Sequence, residues 1–481
     1  MVRVTAEAGC TLVGLAVISA LLFSLTGVEA SPEPVRLFPA VELRGPIALA
    51  GCSIGGNGTF DDPRFVRDCA ILVSQDEGYG VLIYDTEEHW LIDNVSFRGS
   101  GAHLTHGVGI RNASNVRIER SLFEDLGMGI EFDWARNVTV AGNRFLKDVM
   151  AISCPGPIPL CVGGYKVRII GNEFTGGDLF LNGHDVSFLD NDVVGASLQL
   201  HSTENVTVEA NHFLSGSIRL TSHVIVDNLN VTIARNVITD GVDGIWGMYV
   251  RDVRIEGNTI ARNSRNGIYA ETFYNATIAN NTITGNGNGT FLWLNYGPGE
   301  SAGEVVGNRI TRNRVGLSSD GGLVVHHNHF VENGLQAFGW GPWAQPYPNG
   351  GNCWSDYAGE DRRSGPDQDQ PGSDGIGDTP YDILSYDGRL DQDPYPLMAS
   401  CEFRDEVAVS PRLRTVHSGT DLGPRAEGST RGPLDSDGVA VFERSRNDAG
   451  ARIRTWEPLR DEVLNLAPLA GLGYPRARPE R

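Results

Sequence analysis

Along residues 80–340, apolar side chains occupy every second position in short runs, and the runs recur with a period near 22 residues. Each unit opens with Asn or Asp, then Val, a variable residue and Val, Ile or Phe: Asn94-Val95-Ser96-Phe97, Asn115-Val116-Arg117-Ile118, Asn137-Val138-Thr139-Val140, Asp185-Val186-Ser187-Phe188, Asn205-Val206-Thr207-Val208, Asn230-Val231-Thr232-Ile233 and Asp252-Val253-Arg254-Ile255. Lys166-Val167 and Asn275-Ala276 begin near matches. Further on stand Asn143, Asn172, Asn191, Asn211, Asn236, Asn258, Asn281, Asn308 or Asn328, each followed two residues later by an apolar side chain, from Phe145 to Phe330. A third alternating run starts at glycine, as in Gly109-Ile110-Arg111, Gly129-Ile130-Glu131-Phe132, Gly244-Ile245-Trp246 and Gly267-Ile268-Tyr269.

Period-two alternation predicts strands with one face buried. Three such strands in each repeat predict a parallel β-helix of about eleven coils with a roughly triangular section, an all-β solenoid. The apolar period excludes helical repeats, and no leucine-rich consensus is present. At about 4.8 Å per coil the array is about 50 Å long. The recurring Asn tolerates the left-handed backbone of a sharp bend, and stacked copies bond along the axis as a ladder.

The coils resemble those of carbohydrate-binding proteins and sugar hydrolases (the CASH domain) in the pectate-lyase-like fold, a resemblance that implies a right-handed parallel β-helix of the pectin-lyase-like class. Gly351-Asn352-Cys353-Trp354-Ser355-Asp356-Tyr357, Asp374-Gly375-Ile376-Gly377-Asp378-Thr379-Pro380-Tyr381 and Tyr395-Pro396-Leu397 resemble the closing segment of NosD-like proteins, the periplasmic copper-binding family. The likeness covers about residues 80–400, with Cys353 where an aromatic usually stands and an insertion near Arg362 to Ser373. The expected organisation is a signal at 1–30, a cap at 31–79, the β-helix at 80–340, the closing segment at 341–401 and a mostly disordered tail at 402–481.

The signal reading rests on Arg3, the apolar run Leu12 to Leu25, too short to span a bilayer, and Val28-Glu29-Ala30 before Ser31; a retained anchor is the alternative. It places the chain in the periplasm, at the cell surface or in the medium. Of seven cysteines, Cys10 leaves with the signal, and proximity suggests Cys52 with Cys69, Cys154 with Cys161 and Cys353 with Cys401. Lys plus Arg number 39 against 60 Asp plus Glu, so 39 − 60 = −21, which argues against nucleic acid or an anionic membrane as partner.

Outward residues of the third strand align as Arg111, Glu131, Ser153, Phe180, Gln199, Arg219, Trp246, Tyr269, Trp293 and Ser318, with Asp133, Asn182, His201, Thr221, Glu271, Asn295 and Asp320 two residues on. Aromatic faces edged by polar groups suit a polysaccharide or glycoconjugate, placing Arg111, Gln199, His201, Trp246, Tyr269, Glu271 and Trp293 on a binding face. Glu131 and Asp133, with Arg219, are the candidate catalytic groups of an alternative, a polysaccharide lyase, epimerase or hydrolase on that face. Asp367, Asp369, Asp374 and Asp378 have spacing that suits Ca²⁺. Copper, which the NosD resemblance implies together with a maturation role, is not expected, because Met128, Met150, Met248 and Met398 lie far apart; His326, His327 and His329 are the nearest thing to a site.

Overall fold

The computed structural model describes residues 51–73, 78–99, 105–146, 164–221, 228–293 and 303–398, and the backbone of 35–38, 41–43 and 150–152. The chain divides into two units, Met1–Val407 and Ala408–Arg481. The tail, Cys154 and Cys161 therefore lie outside the described residues, as does Cys401. Among the described residues every regular element is a strand, and no helix is long and apolar enough to cross a membrane.

Each repeat is one coil of three strands, for example Glu204–Glu209, His212–Leu214 and Ile218–Thr221. Successive coils pair in parallel and in register, so Val206 lies beside Val231 and Val231 beside Val253, while Phe213, Ile238 and Ile260 stack along a second side. The β-branched and aromatic side chains at these positions are fully buried, and their copies pack coil on coil. Phe97, Phe123, Phe145 and Phe174 form an internal aromatic stack with centroids 4.6–5.0 Å apart.

Two details differ from the sequence reading. Trp90, not Val95, pairs with Val116, and Phe97 pairs with Phe123, so Asn94–Phe97 supplies a second-strand segment within the long strand Trp90–Arg98. That strand pairs with Arg64–Leu72, so coil register begins ahead of residue 80. The left-handed residues are those opening the repeat, such as Asn137 (φ 52°) and Asn205 (φ 56°), and those just before the buried Asn, such as Asp190 and Arg235. The buried Asn itself seals the bend: the Asn172 amide donates to Asn191 Oδ1 at 3.0 Å and to the Val140 carbonyl at 3.0 Å.

This ladder runs unbroken from Asn143 to Asn352. The closing motif is thus a last partial coil, with Asn352 as the final rung and Trp354 stacked on Phe330 at 4.4 Å, itself covered by Tyr381 at 4.3 Å. The carboxylate of Asp393 accepts from Asn352 N at 2.7 Å and Trp354 Nε1 at 2.9 Å, ending the ladder. Cys52 and Cys69 form the expected disulfide, and Cys353 is also disulfide-bonded.

Candidate functional site

Outward positions of the third strands align as Leu82, Gly109, Glu131, Ala151, Phe180, Gln199, Arg219, Trp246, Tyr269, Phe291, Ser318 and Phe338. Arg111 lies instead beside Asp133, and Trp293 beside Glu271, in the column two residues on. Val108 pairs with Ile130, so Gly107 and not Gly109 is the equivalent of Gly129, which moves Arg111 into the column two residues on. Ser153 and Asn295 lie outside the described residues. Phe291, which sequence reasoning passed over, takes the place given to Trp293; the alternation after Gly289 was its signal.

Trp246, Tyr269 and Phe291 are nearly parallel, with centroids 5.9 and 5.5 Å apart and interplanar angles of 4°. Parallel rings in contact lie about 3.5–4 Å apart plane to plane, so each is slipped by roughly 4 Å over the next, like leaning tiles. Part of each face therefore stays open, and all three are partly exposed. Trp293 meets Phe291 edge to face at 6.4 Å and is 45% exposed. The Tyr269 hydroxyl donates to Glu271 at 2.9 Å. Burial, more than the Glu271 carboxylate, raises that phenol above its ordinary range.

Glu131 sits at the other end of the same column, only 3% exposed despite pointing outward. The Tyr79 hydroxyl donates to it through a short hydrogen bond, His106 Nδ1 stands 3.0 Å away, and Arg111 Nη2 is 3.9 Å away while donating to the Tyr79 oxygen at 2.6 Å. Gly109 makes this possible, because a Cβ there would stand 2.6 Å from the Tyr79 ring. Burial pushes the Glu131 carboxyl up, but His106, Tyr79 and Arg111 outweigh it and hold the group below its ordinary value; burial and then Glu131 raise the Tyr79 phenol. Tyr79 and His106 were not singled out in the sequence, since Tyr79 falls in the expected cap and neither lies in the column that was aligned.

The other candidates are dispersed. Asp133 is Arg111's neighbour on the adjoining coil, whereas Arg219 is four coils from Glu131, about 19 Å, with Nε on Ser217 Oγ at 3.1 Å. Gln199 donates to Asp178 at 3.0 Å, and His201 Nδ1 bonds Thr221 Oγ1 at 3.0 Å. In the acidic loop, Asp374 accepts from Ile376 N and Gln368 Nε2, and Asp378 from Arg362 N and Arg363 N, while Asp367 and Asp369 are exposed. The carboxylates thus staple separate turns, and among the described residues no three His, Cys, Asp or Glu side chains come together as metal ligands. His326 and His327 bond one another through Nδ1 at 2.8 Å, and His326 Nε2 faces Glu304 at 3.2 Å.

Residues 180–359 match the family model described as periplasmic copper-binding protein (NosD), the family that the closing motif resembles. No curated protein matches the chain. Among solved structures, it is similar to the A-module of mannuronan C-5 epimerase AlgE4 of Azotobacter vinelandii, at 12% identity over 53% of this chain and 87% of that one, with a TM-score of 0.36. The surface adhesin PfbA of Streptococcus pneumoniae is similar at 16% identity over 52% and 70% of the two chains, with a TM-score of 0.36. A periplasmic alginate epimerase is similar at 15% identity over 69% and 99%, with a TM-score of 0.38. These likenesses concern the β-helix fold.

Proposed function

We propose that this chain acts outside the cytoplasm as a binding protein for an extended polysaccharide or glycoconjugate, which lies along the third-strand face across Trp246, Tyr269 and Phe291. The observation that carries the reading is the slipped column of three partly exposed rings on consecutive coils. The coil rise of about 4.8 Å is close to the length of one sugar in an extended chain, so successive sugars meet equivalent ring faces. Glu271 at the edge of the column is placed to take hydroxyl hydrogen bonds, as sugar sites require. The export reading of residues 1–30 and the periplasmic description of the matching family support the location.

The test is a glycan-array screen of the chain, followed by calorimetry on any hit. Trp246→Ala with Tyr269→Ala should weaken binding at least about tenfold, or 1.4 kcal/mol, with circular dichroism unchanged. Unaltered affinity in that variant removes the reading.

A second reading, an enzyme on the same face, is favoured by the Glu131 cluster. A carboxylate joined to a phenol and an imidazole, with a guanidinium alongside, is an arrangement that proton transfer to and from a substrate requires. The fold does not demand it, since Phe180 and Gln199 occupy the same column without a carboxylate.

A further inference from the structure

We propose that the row Glu271, Trp293, Asp320 and Trp340 recognises a cationic amino-sugar polymer, so that the ligand of the third-strand face carries free amines. This rests on the polysaccharide reading and adds the ligand's charge. Glu271 pairs in register with Trp293, and Asp320 with Trp340, on successive coils of the second outward column. Carboxylate and indole therefore alternate up the solenoid at about 4.8 Å per step, and the two indoles stand roughly 10 Å apart.

Trp293 and Trp340 are 45% and 42% exposed, large apolar surfaces left in water. Trp340 is fixed by donating Nε1 to the Asp320 carbonyl at 2.5 Å and by Tyr386 meeting it edge to face at 5.5 Å. Tyr386 is anchored in turn through its hydroxyl, 2.6 Å from Ser318 Oγ. Glu271 accepts from a neutral donor, the Tyr269 hydroxyl, so that bond leaves its negative charge uncancelled.

The chemistry of the row selects among glycans. An indole face attracts an ammonium group, and a carboxylate one step along the row adds a charge-assisted hydrogen bond to the same group. A uronate polymer would set its carboxylates against Glu271 and Asp320, on a chain already at −21. A neutral polymer would use the rings and leave the carboxylates idle.

Calorimetry of the full chain with a β-1,4-linked glucosamine oligomer and with its fully N-acetylated twin tests this, because the two share rings and linkage and differ in charge. The glucosamine oligomer should bind at least tenfold more tightly, with the advantage shrinking as salt rises. Glu271→Gln with Asp320→Asn should abolish the difference between the oligomers, while Trp293→Ala with Trp340→Ala should weaken both, the fold being checked by circular dichroism. Equal binding of both oligomers, or tighter binding of oligogalacturonate, overturns the charge inference and leaves the polysaccharide reading standing. If neither these oligomers nor any arrayed glycan binds, both fall. Oligolysine binding that matches glucosamine and ignores the Trp substitutions reduces the row to general attraction by an acidic protein, which also overturns the proposal.

Discussion

Asp393 illustrates how one residue answers a problem set by its neighbours. In the buried ladder each Asn Oδ1 accepts from the preceding rung, while the backbone N–H and one side-chain N–H donate to the next; the Asn352 side-chain amide meets the Val325 and Trp343 carbonyls instead, so its backbone N–H is the donor with no further rung. A carboxylate fills that place, with no proton to offer and lone pairs to spare; Asp393 takes Asn352 N, Trp354 Nε1 and, on its other oxygen, Tyr395 N at 3.0 Å. Gly351 is required beside it, since a Cβ there would stand 1.9 Å from Asp393 Oδ1. Burial pushes the carboxyl up to about 6, against the pull of those donors. A folded value above the unfolded one, about 3.9, means that the contribution is complete at lower pH and is lost as pH rises to about 6. Wild type should therefore lose stability relative to Asp393→Asn between about pH 4 and pH 6, with the difference level above that interval. Denaturant midpoints of both proteins across this range check the sign; a difference that grows in wild type's favour would contradict it.

At the scale of the coil, two asparagine rows of similar appearance have different weight. Asn236 lies in the buried ladder and accepts from Asn211 N and Nδ2, at 2.9 and 3.0 Å, while donating to Val208 O and Asn258 Oδ1. Asn236→Ala would leave buried donors and acceptors unmet and should cost about 2–4 kcal/mol. Asn205 donates to Asp185 Oδ1 at 3.0 Å on the surface, where water replaces it, so Asn205→Gly, which keeps the left-handed backbone, should cost about 0.5–1 kcal/mol. Urea unfolding separates the two, and equal losses would mean that the ladder contributes no more than a surface bond. The period, the inward columns and the ladder from Asn143 to Asn328 were legible in the sequence because inter-coil packing leaves the same residue types at the same step. Asn352 and Trp354 carry the same signal, but the long connection through Trp343 breaks the period. Strand register on the outer face was less legible, since side chains there vary and a glycine at 107 or 109 gives the same local pattern. Asp393, Tyr79 and His106 reach their sites through tertiary packing, which no local spacing records.

For the whole molecule, the question is what one face can do along its length. The Glu131 cluster and Trp246 stand in one column five coils apart, about 24 Å. A long ligand held on the rings can therefore present a distant part of itself to Glu131, and variants at the two ends need not fail alike. If the chain only binds, Glu131→Gln removes a charge from a network that Tyr79, His106 and Arg111 hold together, and the loss appears as stability and modest affinity. If it transforms its ligand, Glu131→Gln and Tyr79→Phe should each lower kcat by about 10²-fold or more with KM nearly kept, because the proton path is broken while the platform is intact. Trp246→Ala should do the reverse, raising KM with kcat little changed, since uniform binding has been removed. Product analysis for new reducing ends, unsaturated sugars or inverted stereocentres, run on the glycan that the array identifies, makes the distinction. Turnover unaffected in both Glu131→Gln and Tyr79→Phe would place the chemistry elsewhere on the solenoid, whereas loss in Glu131→Gln alone would leave Tyr79 as a positioning group for the carboxylate.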